Sequence, residues 1–357
     1  MSNQNWFRRT EDEWSPLLSA VAPQPPIPPG DGGEVPDPEE PAEPPPSGQK
    51  VSHGMDLRSW HTGLINSSLL TAATGPMSTS RDGQLIQNRR IIADGKGQRA
   101  LQIFHRDVTV RNCHIIYRNM ANGVHVHGGN PNVVIENCFI QDDIAVGPYD
   151  DDQSDPTGEV NPGGSVGLVC GNNGTVIRWN YMSGHRAGMA LGNDNLVVVE
   201  NYLAHNFNGV ERPASWQKGS GINYRGGQAG NVVIARNWVN CTGSRSAAFN
   251  LYPDRPIRYT NVFDNYARGN GGGWGINGGD TSSRPLEIRQ LNRDIRIEGM
   301  RFEGDFQWPT VLGEGTNAGV NLFRTGNTFV NNQWLPGSGT IVGDLPARCG
   351  VRQNACE

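Results

Sequence analysis

Residues able to do chemistry gather in three stretches of the chain. QDDIAVGPYDDDQSDPTGEVNPGGSV, residues 141–166, carries Asp142, Asp143, Asp150, Asp151, Asp152, Asp155 and Glu159. SGHRAG, residues 183–188, carries His185 and Arg186, and HNFNGVERPASWQKGS, residues 205–220, carries Glu211, Arg212, Trp216 and Lys218. Facing carboxylates can protonate a glycosidic oxygen and activate water, and an indole face can stack on a sugar ring. Asp142, Asp143 and His185 are therefore the candidate catalytic groups, with Arg186, Glu211, Arg212, Trp216 and Lys218 as substrate contacts. The run Asp150, Asp151 and Asp152 is the candidate for Ca²⁺, although it lacks the spacing of an EF-hand loop; no other cofactor is expected. The competing reading of all three stretches is long, solvated polar loops without a site. His125 and His127 in GVHVHGG fall on one strand face and could chelate a metal, but no third ligand is recognisable beside them. Surface imidazoles are the other reading.

What must position these groups is a repeat. GVHVHGGNPNVVIENCFI, GLVCGNNGTVIRWNYM, GMALGNDNLVVVENYL and GINYRGGQAGNVVIARNWV each read as strand, turn, strand and asparagine, with ALQIFHRDVTVRNCHI and AFNLYPDRPIRYTNVF as weaker copies. RIEGMRF and LFRTGNTFV are degenerate final versions. The recurrent asparagines are Asn112, Asn137, Asn180, Asn201, Asn237, Asn261 and Asn327, with Gly299 in the slot between the last two. Alternate apolar positions mark strands with one buried face. A short unit of this kind cannot bury its apolar side alone, so successive units must stack as coils. Asparagine suits the bend because it tolerates the left-handed region and its amide can bond to neighbouring coils. The residue after it should stack as well: Cys113 on Cys138, as paired thiols or a disulfide, then Tyr181, Tyr202 and Trp238. Among the first six asparagines the successive spacings are 25, 43, 21, 36 and 24 residues. The two long coils hold the first and third chemical stretches, and the tight coil between them holds SGHRAG. Three stacked corners would then form two walls and a floor. A further insertion, GGDTSSRPLEIRQLN at 278–292, leaves from a different corner.

The VxIxN(C/Y)F series, with GNTFVNN at 326–332, resembles the right-handed parallel β-helix family of pectate lyases, polygalacturonases and phage tailspikes over about residues 85–333. The resemblance implies an all-β fold, a right-handed single-stranded parallel β-helix of about nine coils. DDIAV at 142–146 is similar to the Asp-Asp-Cys-Ile-Ala strand of polygalacturonase-type hydrolases, and GHR at 184–186 to their Gly-His-Gly corner. GVER at 209–212 departs from their Arg-Ile-Lys strand, and Asn122 stands where their first aspartate belongs. The resemblance thus extends to Asp142, Asp143 and His185 alone.

The remainder of the chain argues for an attached protein. Residues 1–22 form an arm with Trp6, Phe7 and Trp14 among charges, the expected anchor. Residues 23–49 are a linker: twelve of the 24 prolines lie between Pro16 and Pro46, and residues 31–43 carry six acids and no base. Such a segment cannot bury a core and extends as a polyproline-type spacer. Residues 50–84 are expected to cap the coils, 85–333 to form them, and 334–357 to close the far end, where Cys349 and Cys356 could pair. Charged residues are 18% of the 357 and glycines number 47, which favours strands and tight turns. The mild net charge of −5 gives no reason to expect a nucleic-acid partner, and no apolar run is long enough to insert into a membrane. The N-terminus lacks the apolar region of a signal peptide. Arm, spacer and coils together fit a phage or phage-like particle spike, made in the host cytoplasm and carried on the virion. Its partners would be other particle proteins, bound through residues 1–22, and bacterial surface glycan. The family implies a homotrimer. The alternatives are a polysaccharide hydrolase or lyase and a purely structural decoration protein.

Overall fold

The computed structural model describes residues 62–95, 97–118, 121–129, 131–142, 166–184, 187–204, 221–227, 230–242, 247–251, 257–270, 274–277, 293–304, 308–311, 328–330 and 333–334. Their strands form three sheets of ten, nine and nine members, here A, B and C. Each strand pairs in parallel with the strand three places further along the chain, so the chain visits A, B and C in turn and then repeats. This is the arrangement of a parallel β-helix. Representative turns of the coil run through Phe139–Asp142 in A, Val166–Cys170 in B and Thr175–Arg178 in C, then through Tyr181–Ser183, Ala187–Leu191 and Val197–Val199.

The interior is built by alternation. In B, Leu101, Val124, Leu168, Met189, Ile222 and Phe249 occupy one register row and all belong to the main apolar cluster. The row beside it, one residue earlier, is Ala100, Gly123, Gly167, Gly188, Gly221 and Ala248. Backbones close in there as the chain passes from A to B. A Cβ on Gly188 would sit 2.7 Å from the Gly221 carbonyl oxygen, and one on Gly221 would sit 2.6 Å from that of Ala248. The glycine that opens the repeated strand is thus a steric requirement of this corner.

The passage from C to A is tighter still. Asn88, Asn112, Asn137, Trp179, Glu200, Arg236, Asp264 and Gly299 occupy one column and adopt φ between 48 and 64°. The next column is Cys113, Cys138, Asn180, Asn201, Asn237, Asn265 and Met300, which corrects the single asparagine series expected from sequence. Asn112 and Asn137 take the left-handed position, whereas Asn180, Asn201 and Asn237 stand one residue later. Arg178 pairs with Glu136, which sets Asn180 beside Cys138. Asn261 is not a ladder residue: it pairs with Val233 on the strand Arg258–Phe263, and Asn265 takes the place beside Asn237. Gly299 fills the left-handed column and Met300 the inner one, where Asn265 Nδ2 meets its sulfur.

The inner ladder is a chain of amides with no exposed member, since Asn180, Asn201, Asn237 and Asn265 are all 0% exposed. Asn201 Oδ1 accepts from the N–H and Nδ2 of Asn180 at 3.1 and 3.0 Å. Asn237 does the same for Asn201, and Asn265 for Asn237. Each Nδ2 also donates to a carbonyl of the preceding coil, those of Ile135, Ile177, Val198 and Ile234. The ladder therefore satisfies side-chain groups that burial would otherwise leave costly. Cys113 and Cys138 end this column as free, buried thiols on neighbouring coils. The neighbouring Cys138 thiol lowers the pKa of Cys113, while burial pushes that of Cys138 up.

The column after the ladder carries His114, Phe139, Tyr181, Tyr202, Trp238 and Tyr266 as a stack, with Tyr202–Trp238 centroids 5.8 Å apart and Trp238–Tyr266 3.9 Å apart. Phe139, rather than a cysteine, precedes Tyr181 in it, because the cysteines belong to the ladder column. These rings lie on the outer face of A: the next residues, Ile140, Met182, Leu203, Val239 and Ala267, point into the main core. Tyr202, Trp238 and Tyr266 form a second apolar cluster, separate from the first.

Candidate functional site

The chain passes from A to B through residues 143–165 after Asp142, 185–186 between Gly184 and Ala187, and 205–220 after Ala204. The flanking strands are direct neighbours in both sheets, Phe139–Asp142, Tyr181–Ser183 and Tyr202–Ala204 in A and Val166–Cys170, Ala187–Leu191 and Ile222–Tyr224 in B. The three chemical stretches therefore start and finish on consecutive coils, as the spacing implied. The stretch 278–292 joins Trp274–Asn277 of B to Arg293–Glu298 of C and so leaves from another corner.

Of the expected catalytic and contact residues, Asp142 alone is described. It ends its strand, pairs in register with Tyr117, and is 4% exposed. Two residues after the core side chain Ile140, it lies on the inner side of the strand. Asp143, His185, Arg186, Glu211, Arg212, Trp216 and Lys218 lie outside the described residues, as do Asp150, Asp151 and Asp152, the anchor residues Trp6, Phe7 and Trp14, and Cys349 and Cys356. Among the described residues no cluster of three or more histidine, cysteine or acidic side chains could hold a metal.

The outer face of B shows a set of groups that sequence reading only half located. Gln102, His125, Val169, Ala190, Asn223 and Asn250 form its central outward row, in register across six coils. At one end, His125 and His127 stack with centroids 4.1 Å apart and planes 12° from parallel. Phe104, 44% exposed, stacks on His127 at 4.0 Å. Gln102 Oε1 accepts from Arg99 Nη1 at 3.2 Å and lies 3.3 Å from His127 Nε2. Burial, and after it the positive charges of Arg99 and His127, hold His125 down at about 4; burial and Arg99 lower His127 too. At neutral pH His125 is therefore an uncharged ring within a platform of three stacked rings, suited to stacking and to hydrogen bonding rather than to proton donation.

Beyond the two small apolar residues Val169 and Ala190, the row turns to amides. The Oδ1 atoms of Asn223 and Asn250 are both buried and have no hydrogen-bond partner among the described residues. An acceptor in that state favours a donor brought by a ligand, because its desolvation is otherwise uncompensated. The signal for the platform was present in the sequence: Phe104 and His127 each follow directly on paired strands of adjacent coils, Arg99–Ile103 and Asn122–Val126. The asparagines of this face were concealed by the repeat, which already had a structural use for asparagine. No family model matches the chain, and neither a curated protein nor a solved structure matches it.

Proposed function

We propose that the protein is a spike or fibre of a phage or phage-like particle, anchored through residues 1–22, whose coils bind bacterial surface polysaccharide on the outer face of sheet B. In this reading the coils are a right-handed parallel β-helix of the pectate lyase-like and tailspike type, assembled as a homotrimer. The observation that carries the reading is the outward row of B: a ring platform, Phe104, His127 and His125, in line with two amide oxygens awaiting donors. A glycan chain presents alternating apolar ring faces and hydroxyl donors, which are the two features this row can match. The arm and the proline-rich spacer, residues 1–49, support attachment to a larger body.

A hydrolase or lyase is the second reading, favoured by the acidic stretch that opens at the A-to-B corner beside this face. It would rest on Asp143 and His185, with Asp142 as a buried neighbour. The test is glycan binding by the full chain against purified capsular and lipopolysaccharide fractions, with Phe104→Ala/His127→Ala as the comparison. Loss of about thirtyfold in affinity with unchanged circular dichroism is expected, since each of the two stacked rings contributes on the order of 1 kcal/mol. Equal binding by both proteins would remove this face from the proposal. Release of reducing ends, or of unsaturated products absorbing in the ultraviolet, that disappears in Asp143→Ala/His185→Ala would establish the enzyme reading.

A further inference from the structure

The inner ladder changes chemistry at its first step. From Cys138 onward an amide oxygen bridges each pair of coils: the Cys138 N–H donates to Asn180 Oδ1 at 3.0 Å, as the Asn180 N–H does to Asn201 Oδ1. The Cys138 side chain brings no oxygen to the Cys113 N–H, so the step between the two cysteines lacks that bridge. The turns that present them are nevertheless alike. Each cysteine follows an asparagine in the left-handed region, Asn112 at φ 48° and Asn137 at φ 50°. The residues after them, His114 and Phe139, pair in register, and the Phe139 N–H donates to the Cys113 carbonyl at 3.0 Å. Cys113 and Cys138 are therefore direct neighbours on adjacent coils. About 4.8 Å separates such neighbours, inside the roughly 4.4–6.8 Å that a disulfide spans between Cα atoms.

The thiols stand where the amides stand elsewhere. Cys113 Sγ donates to the carbonyls of Arg111 and Ile86 at 3.3 and 3.6 Å, and Cys138 Sγ to those of Glu136 and Val110 at 3.3 and 3.8 Å. Asn201 Nδ2 serves the equivalent pair, Val199 and Ile177. A thiol is a weak donor, so these bonds hold the sulfurs only lightly. Closing a bond between them asks for rotation of the side chains and a slight approach of the coils. The two thiols already interact: Cys138 holds the Cys113 pKa down, whereas burial pushes its own up. Cys113 is thus the readier thiolate, and the thiolate is the nucleophile of thiol–disulfide exchange.

We propose that Cys113 and Cys138 are the site of an intercoil disulfide, formed by exchange with a low-molecular-weight disulfide, which fastens the coils where the amide ladder stops. The Cys113 thiolate attacks one sulfur of the oxidant, whose S–S bond breaks and releases a thiolate; that thiolate takes up the proton Cys113 has lost. Cys138, giving up its own proton, then attacks the Cys113 sulfur and displaces the second oxidant thiol. Two protein thiols are oxidised to one disulfide, and the oxidant is reduced to two thiols. Both sulfurs are buried, so exchange waits on opening of the nearer end, where the strands Ala73–Thr74, Met77–Ser78 and Leu85–Gln87 are short. Closing the loop from Cys113 to Cys138 restricts the unfolded chain, which is the source of the added stability. Reducing surroundings leave the thiols free, and oxidising ones lock them.

Oxidised glutathione provides the test. Reduced full-length protein is held with it in native buffer, then capped with N-ethylmaleimide in urea and digested with trypsin without reductant. A Cys170→Ser background keeps the assignment simple, because Cys138 is then the lone cysteine of the tryptic peptide 119–178, while Cys113 lies in 112–118. The two peptides should be recovered joined. The urea midpoint of the oxidised protein should exceed that of the reduced protein by about 0.5 M, a gain that Cys113→Ser in the same background abolishes. Recovery of both cysteines in capped form, or of either joined to another cysteine, would overturn the proposal. So would a joined pair whose midpoint does not rise, since the link would then fasten nothing.

Discussion

The two corners that bound sheet A are built on opposite principles. At the C-to-A turn, coil after coil uses one left-handed residue followed by one ladder residue, with no room for an insertion. At the A-to-B corner, the strand edge is a column of glycine and alanine, yet the connection before it ranges from 185–186 to 143–165. The first corner is held by side-chain amides that bond coil to coil, so a change in length would break two neighbours at once. The second is held by backbone proximity only after the chain has returned to the sheet, so whatever precedes it is free to vary. Stability is concentrated at one edge of sheet A and chemical diversity at the other.

This contrast should be open to breakage in order. Asn201→Ala removes an amide that accepts two hydrogen bonds and donates three, all buried. A loss of about 3 kcal/mol is expected, because the Asn180 donors are left unpaired, and urea denaturation should show it as a lowered midpoint. Gly221→Ala, at the opposite corner, should cost about 2 kcal/mol in the same measurement through its approach to the Ala248 carbonyl. If Gly221→Ala proves costlier than Asn201→Ala, the ladder is not the dominant fastener. Replacing residues 146–163 by a short glycine-serine linker should shift stability by no more than about 1 kcal/mol, as loop closure depends weakly on length. A large loss there would mean that the A-to-B connections are structural after all.

The smallest effect concerns the outer face of B. His125 is half-buried, and its pKa is lowered from the ordinary 6.5 to about 4. Between those values the unfolded chain binds more protons than the folded one, so stability falls as pH drops from about 6.5 to about 4 and levels off below that. His125→Gln should flatten this part of the curve, measured as the urea midpoint at about pH 7 and about pH 4.5. An unchanged slope would mean that the ring is not held neutral by its surroundings.

The coil architecture was readable because period-two alternation, the strand-opening glycine and the recurrent asparagine all obey the same repeat. Register was harder. Asparagine serves two adjacent columns here, the left-handed turn at Asn112 and Asn137 and the inner ladder from Asn180 onward, and nothing in its type says which. The alignment slipped by one residue between Asn137 and Asn180 for that reason. It slipped by four at RYTNVFDNY, where Asn261 imitates the pattern but Asn265 and Tyr266 fill the ladder and the ring stack. The site was less legible still. His125 and His127 on one face followed from strand geometry, but the partner Phe104 belongs to another coil, and Asn223 and Asn250 looked like background in an asparagine-rich repeat. The acidic stretch could be located at its corner, but Asp142 turned out to face inward, because strand alternation continues through it.

The strictly parallel register has a mechanical consequence. In all three sheets the hydrogen bonds run from coil to coil along the stacking direction, while within a coil the chain is continuous covalently. A pull at one end along that direction would load only the outermost coil and peel it like thread from a spool, one short set of bonds at a time. The amide column threads the same direction at Asn180, Asn201, Asn237 and Asn265, so each coil there can be removed only with the breaking of side-chain bonds as well. Under tension the middle of the stack should therefore resist longer than its first coils, where the inner column offers Cys113 and Cys138 instead of amides.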